Sequence, residues 1–283
     1  MPEQFADLSH HNQAVDLGAY KTAGHSRVVL KATEGSAYAD PQFEDRWKAA
    51  GQLGLRRGAY HFARTSYTGQ GQAEHFLEAV DHAGGLRPGD VLILDLEDNT
   101  SPDTTAAAKE FLHEFVAFMG VHGHNDGLIY SGAWYLHPAR ITPEDVLPGW
   151  RHLWLSDYTP IPDATINLPG EWSRDQVVAR QYTNKAAVFG IYGPCDYSRM
   201  LAPWPTSTNQ HQEEQMVIVT APGKPWLAYY PATGGVRVIG PDEPAPLRKI
   251  HQAAGDPATT VTLTQAEYDQ VIEYADRAAR GTS

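Results

Sequence analysis

Along the first two thirds of the chain, short apolar runs alternate with stretches of helical period. Five runs have strand length: Phe5–Ser9 (FADLS), Arg27–Thr33 (RVVLKAT), Arg57–Ala63 (RGAYHFA), Val91–Glu97 (VLILDLE) and Gly127–Gly132 (GLIYSG). The stretches between them read as helices. DPQFEDRWKAAGQLGL sets Phe43 and Trp47 four apart, and GQAEHFLEAVDHAGG stops at Gly84–Gly85. SPDTTAAAKEFLHEFVAFMGVHG opens on a cap-like Ser101 with Pro102 in its first turn, then places Phe111, Phe115 and Phe118 on one face. Strand–helix alternation predicts a parallel sheet with helices packed on it. A run such as VLIL is apolar on both faces, as a central parallel strand must be. Five such units fit a barrel better than a short open sheet.

The rhythm then changes. His152–Tyr158, Val177–Thr183 and Gly193–Ser198 read as strands, but the gaps between them carry Pro, Gly, Asn and Asp without helical period. The predicted fold class is therefore α/β: a modified TIM-like β/α barrel of about five βα units followed by about three loop-connected strands. The barrel is expected over residues 1–204. Residues 205–215 are polar and Pro-containing and read as a linker. Residues 216–283 read as a small α+β module. MVIVT, WLAYY and VRVIG predict an antiparallel meander, and a helix is expected near Pro246. Thr264 and Glu267 fit a capping box at the last helix, with Leu263 and Tyr268 as its staple. A module of this size has a thin core and is expected to lean on a neighbour.

Composition narrows the function. The 283 residues carry a formal charge of -12, which argues against nucleic acid as a partner. No apolar run approaches membrane-spanning length, so membrane insertion is not expected. Cys195 is the single cysteine, so no intramolecular disulfide can form. The start, MPEQFADLSHHN, has neither a basic end nor an apolar core. Synthesis in a cytoplasm without a secretory signal is the expectation.

Chemistry gathers where VLILDLEDN runs out. Asp95 and Glu97 are two apart, hence on one face of an extended chain, with Cα atoms roughly 6.5–7 Å apart. Carboxyls that close cannot both ionise freely, and one that keeps its proton can serve as a general acid for glycosidic cleavage. Capping of the following segment is the plainer alternative. Other strand ends are also polar: Asp7, Lys31 and Glu34, Tyr60, Tyr130, Trp154 and Tyr158, Gln181, and Asp196. In a βα barrel those ends form the active face. Acids beside aromatic rings there predict a sugar cleft.

Eight motifs in order then resemble one family: DLSHHNQAVD, KATEG, GAYHF, LDLE, IYSG, WLSDY, RQYT and CDYS. Together, over about residues 4–204, they are similar to glycoside hydrolase family 25, the Chalaropsis-type lysozymes. The resemblance implies a β/α barrel whose last strands lack regular helices. It also implies N-acetylmuramidase activity on bacterial peptidoglycan, with no cofactor and no metal. On it, Glu97 matches the general acid, Asp95 the second carboxylate, Asp7 and Asp196 two further acids, and Tyr60 a substrate-contacting tyrosine. Tyr130, Trp154, Tyr158, Gln181 and Glu34 are carried as substrate-binding candidates from their strand-end positions, with rim support as the plainer role for Glu34. Asp95 is either a direct nucleophile or the group that orients the substrate's 2-acetamido group, and the second is favoured.

Rival readings remain open at this level. Asp7, His10 and His11 could instead ligate a metal in a polysaccharide deacetylase, or the barrel could bind walls without catalysis. His61 and Cys195 read as buried core residues. The expected setting is a bacteriophage endolysin, made in the host cytoplasm and released to the wall through a phage membrane pore. The C-terminal module is expected to bind the wall, or else to make a homo-oligomer.

Overall fold

The computed structural model describes residues 2–98 and 104–205, and beyond them the backbone of four strands. The chain divides into two compact units, Met1–Thr208 and Asn209–Ser283. Several expectations lie outside the described residues: the helix start at Ser101–Pro102, nearly all of the linker, the helix near Pro246 and the capping box at Thr264.

Eight strands make the barrel of the first unit, β1 (Gln4–Leu8), β2 (Arg27–Glu34), β3 (Arg56–Phe62), β4 (Val91–Asp95), β5 (Leu128–Gly132), β6 (Leu153–Ser156), β7 (Val177–Ala186) and β8 (Cys195–Met200), beside three two-residue strands. Helices α1 (Leu17–Thr22), α2 (Phe43–Gln52), α3 (Gly69–His82), α4 (Thr104–Val121) and α5 (Ala133–Ala139) follow the first five strands. Between β6 and β7 the connection holds only short 3-10 turns, and between β7 and β8 it holds the two-residue strand Ile191–Tyr192, paired with Ala14–Val15. The ring runs β1-β8-β7-β6-β5-β4-β3-β2, and β2 pairs back onto β1 to close it.

One strand runs against the rest. β8 is antiparallel to both neighbours, with Asp7 opposite Asp196 and Phe5 opposite Ser198. The sequence reading treated Asp196 as another strand end. It lies instead near the start of a reversed strand, which brings it to the rim where the parallel strands finish.

Alternation along the strands sorts the side chains. Phe5, Val29, Val91, Ile93, Leu128 and Trp154 form the cluster inside the barrel. Their strand neighbours, such as Ala6, Val28, Leu92 and Ile129, pack outward under the helices. Two residues on from Phe5, Val29 and Ile93, the inward positions become Asp7, Lys31 and Asp95. The barrel interior is thus apolar below and polar at the mouth. At the base, Trp204 packs 5.4 Å from Phe5, and the Arg27 guanidinium stacks 3.9 Å over its ring.

The outer layer has its own constraint where α3 meets α4. A Cβ on Gly69 would fall 2.0 Å from the backbone oxygen of Phe111. The Gly69 N–H donates to Glu114 at 2.7 Å. On α4, Phe111 and Phe115 are buried, and Phe118 packs against that core only in part.

In the second unit, β9 (Val217–Thr220), β10 (Trp226–Tyr230) and β11 (Gly235–Ile239) form an antiparallel meander. β12 (Thr259–Thr262) adds to β9 in parallel, a strand the sequence reading did not include.

Gly69→Ala should separate α3 from α4, because the clash is with backbone that cannot rotate away. The expected cost is about 1–3 kcal/mol, read as a lower urea midpoint with unchanged m-value; an unchanged midpoint would contradict this contact.

Candidate active site

The mouth of the barrel holds a cavity of about 550 Å³. Its lining includes Asp7, Asp95, Glu97 and Asp196. Each acid reaches it for a structural reason. Asp7 is the inward residue near the end of β1, and Asp196 is its register partner on β8. Asp95 is the last residue of β4, opposite Phe62 on β3 and Tyr130 on β5. Glu97 lies past the strand, but the ladder does not let go at once. The Leu96 N–H donates to Tyr130 O at 2.9 Å, and the Ser131 hydroxyl donates to Leu96 O at 2.6 Å. Both Asp95 and Glu97 consequently line the same cavity.

All four acids are held above the ordinary carboxylate range. Burial is the first cause for each. Asp7 is pushed well up by burial and then by Asp196, against the Gln181 amide, which lowers it. Asp95 is pushed well up by burial and then by Glu97, with Lys31 opposing. Glu97 is raised by burial and by Asp196, again with Lys31 opposing. Asp196 is raised by burial while a Tyr158 hydrogen bond works the other way. Among the described residues, Lys31 is the only lysine or arginine in the cavity lining. Four negative charges facing one ammonium would repel strongly, so protons remain in the cluster.

Gln181 organises one wall. Its amide oxygen accepts from Tyr130 Oη at 2.8 Å and from Tyr158 Oη at 2.6 Å. Two phenol donors on that oxygen leave the NH₂ to face Asp7, at 3.2 and 3.1 Å from its two carboxylate oxygens. Trp154 supports this wall from below. It is 2% exposed, donates to Ser198 Oγ at 3.0 Å, and stacks edge-on to Tyr130 at 4.6 Å. Tyr60 lines the opposite side, partly buried, its hydroxyl pKa pushed well up by burial and then by Asp95.

Glu34 is placed differently from the other candidates. It is not among the cavity-lining residues. Lys31 Nζ holds one of its oxygens at 2.5 Å, and Arg64 holds the other at 2.5 and 3.0 Å. Held by two cations and off the cavity lining, Glu34 sits as rim support, the plainer of its two expected roles. Arg64 also pairs with the buried Asp98 at 3.2 Å. Asp98 therefore belongs to this network and not to the cavity lining.

The histidines are also accounted for. His10 Nδ1 lies 2.9 Å from Asp40 and 3.0 Å from the Tyr38 hydroxyl. Among the described residues, no three His, Cys, Asp or Glu side chains are grouped to hold a metal ion. His11 does line the cavity. His61 is fully buried between Thr33 and Gln72, and burial pushes its pKa down to about 3. Cys195 is buried, its thiol pushed up to about 12 by burial.

Trp134 and Phe62 also line the cavity, and sequence reasoning passed over both. Trp134 had one available signal, since it follows the fifth predicted strand where the active rim should be.

Over residues 6–191 the chain matches the family described as Glycosyl hydrolases family 25. It is 33% identical over 138 residues to Lysozyme M1 of Streptomyces globisporus, covering 46% of each chain. The chain spans about half the length of the curated relatives it matches. Among solved structures it resembles the bacterial lysozyme from Streptomyces coelicolor, with a TM-score of 0.58 and 25% identity over 71% of this chain and 93% of that one. It also shares its fold with the CTP1L endolysin, with a TM-score of 0.54 and 20% identity over 92% of this chain and 81% of that one.

The raised pKa of Asp95 has a consequence for stability. An acid whose folded pKa lies above its unfolded value binds its proton more tightly when folded. Folding then loses stability as pH rises from the unfolded pKa through the folded one. Asp95→Asn removes that penalty. Its melting temperature should exceed the parent's at pH 7 by several degrees, and the gap should close by pH 4. A gap that is equal at both pH values would contradict the crowding.

Proposed function

Because the chain belongs to glycosyl hydrolase family 25, we propose that it hydrolyses the β-1,4 bond from N-acetylmuramic acid to N-acetylglucosamine in bacterial peptidoglycan. The observation that carries this reading is the acid-lined mouth, with Glu97 and Asp95 side by side under raised pKa values.

Glu97 is the proton donor. Its half-buried carboxyl keeps a proton above the usual range, and Asp196 helps to hold it there. Asp95 is the partner of the substrate's acetamido group. Among the described residues, Asp95 Oδ1 is buried and accepts no hydrogen bond. A substrate acetamide N–H would supply the missing donor and favour the ionised form. The acetamide carbonyl oxygen then attacks C1 as the C1–O bond breaks, and Glu97 gives its proton to the departing oxygen. Water next attacks C1 from the vacated side, and its proton passes to the Glu97 carboxylate. Two inversions give net retention. Gln181 holds Asp7 and, with Tyr130 and Tyr158, keeps that wall fixed during both steps.

The biological setting we propose is a phage endolysin, acting on the wall after release from the host cytoplasm. Its support is the fold likeness to the CTP1L endolysin, which runs over both units of the chain. Expression in the cytoplasm of a susceptible bacterium should leave cells intact until the membrane is permeabilised. Lysis of intact cells would overturn that setting.

Digestion of purified peptidoglycan should release new reducing N-acetylmuramic acid ends. New amino termini or free amino sugars would refute the reading. Glu97→Gln should lower kcat by about 10²–10⁴-fold with the fold intact. Activity should fall as pH rises through the raised Glu97 pKa, because the donor is then lost. A trapped covalent sugar–Asp95 adduct would replace acetamido assistance with direct attack.

A further inference from the structure

The connection from β6 to β7 begins DYTPIPD and holds no α-helix. Pro160 and Pro162 have no N–H to give, so this loop cannot satisfy all of its carbonyls on its own backbone. One side chain supplies the missing donors. Arg180 Nε donates to Asp157 O at 2.8 Å, and Nη1 donates to Ile161 O at 2.9 Å. Nη2 donates to Thr159 O. Nη1 also reaches Asp163 Oδ1 at 3.1 Å. The whole side chain is buried. Three alternate carbonyls and one carboxylate thus gather on one planar guanidinium, whose donors point in fixed directions. A lysine ammonium carries its three donors on one atom and could not serve all four acceptors.

Tyr158 sits in this loop between two of the held carbonyls. Its ring is 45% exposed, so packing alone does not fix it. Its hydroxyl nevertheless donates to Gln181 Oε1 at 2.6 Å and stands 3.5 Å from Asp196 Oδ1. Gln181 follows Arg180 on β7, with Arg180 opposite Leu155 and Gln181 opposite Ser156. Neighbours on a strand leave from opposite faces. Gln181 lines the mouth, while Arg180 turns to the loop. Two adjacent residues therefore grip Tyr158 from both ends, its backbone through the loop and its hydroxyl through the amide.

We propose that Arg180 is a positioning residue of the barrel mouth: by gathering the loop Asp157–Asp163 it holds Tyr158 against Gln181 and beside Asp196, and freeing the loop loses that contact while the barrel stays folded. The proposal rests on the muramidase reading above only for the reaction it supports. Arg180 is not among the cavity-lining residues, so its effect passes through Tyr158.

The acids register this effect. The Gln181 amide lowers Asp7, and the Tyr158 hydrogen bond lowers Asp196. With Tyr158 adrift, both acids should hold their protons to higher pH. Asp7 also faces Asp196 and Glu97, and Glu97 faces Lys31. Those charges are kept in every variant below.

The test uses the full chain. Arg180→Lys keeps the charge and loses the fork. Carbon NMR titration should show the Asp7 and Asp196 midpoints rising, and release of reducing ends should fall by about 10–100-fold. Gly69→Ala, destabilised away from the mouth, should keep the parent's midpoints and its rate per folded molecule. Tyr158→Phe should raise the Asp196 midpoint as Arg180→Lys does. Combining the two should add little, because both act through one contact. If Arg180→Lys does not fold, Asp163→Ala removes one of the four loop contacts and should give the same shifts, smaller. Midpoints unmoved in the folded variant would overturn the proposal. So would additive shifts in the double variant, or equal shifts in Gly69→Ala. The midpoints are read without substrate. A parent that cleaves nothing while the midpoints move keeps the positioning role and loses the muramidase reading. A parent that cleaves while the midpoints stay fixed does the reverse.

Discussion

Four carboxyl groups share one barrel mouth with, among the described residues, a single lining ammonium, and much of the local structure serves to hold them there. Asp7, Asp95, Glu97 and Asp196 are all raised, each first by burial. Left alone, such groups would draw water in or swing outward. The Gln181 amide fixes Asp7, and two tyrosine hydroxyls fix the amide. Lys31 faces the cluster from β2, itself steadied by Glu34. The crowding is a cost to folding at neutral pH, and in the proposed hydrolysis it keeps a proton where a leaving group would need one.

The barrel makes this arrangement possible through period-two alternation. Inward positions are apolar in the lower layer and polar in the upper one, so the same strands supply core and chemistry. The reversed β8 completes the ring without a helix and delivers Asp196 opposite Asp7. A parallel eighth strand would have needed another crossover and would have presented its far end at the rim. The helices stop after the fifth strand, and strand direction reverses at β8, where the fourth acid enters.

Much of this could be read before the structure. The five βα units, the loop-joined last strands and the placing of Asp95 with Glu97 all follow from local pattern, since burial and period act residue by residue. What local pattern cannot carry is pairing between distant strands. The direction of β8 depends on its neighbours β1 and β7, so Asp196 was assigned to the site but by the wrong geometry. Rim position alone makes Glu34 a cleft candidate beside its plainer role of rim support; its capture by Arg64, 30 residues away, is not visible in local pattern. Trp134 offers one local signal, its place just after the fifth strand, but that position alone does not tell a half-open indole from a buried one. His61 was read as core from its neighbours, and the Thr33 and Gln72 contacts place it there.

The sharing of protons among the four acids can be measured directly by carbon NMR titration of the Asp and Glu carboxyl groups in the free protein. The resonances of Asp7, Asp95, Glu97 and Asp196 should titrate above the ordinary carboxylate range. Removing Asp196 as Asn should lower the Glu97 midpoint. Four independent midpoints near pH 4, unmoved by Asp196→Asn, would contradict a proton-holding cluster at the barrel mouth.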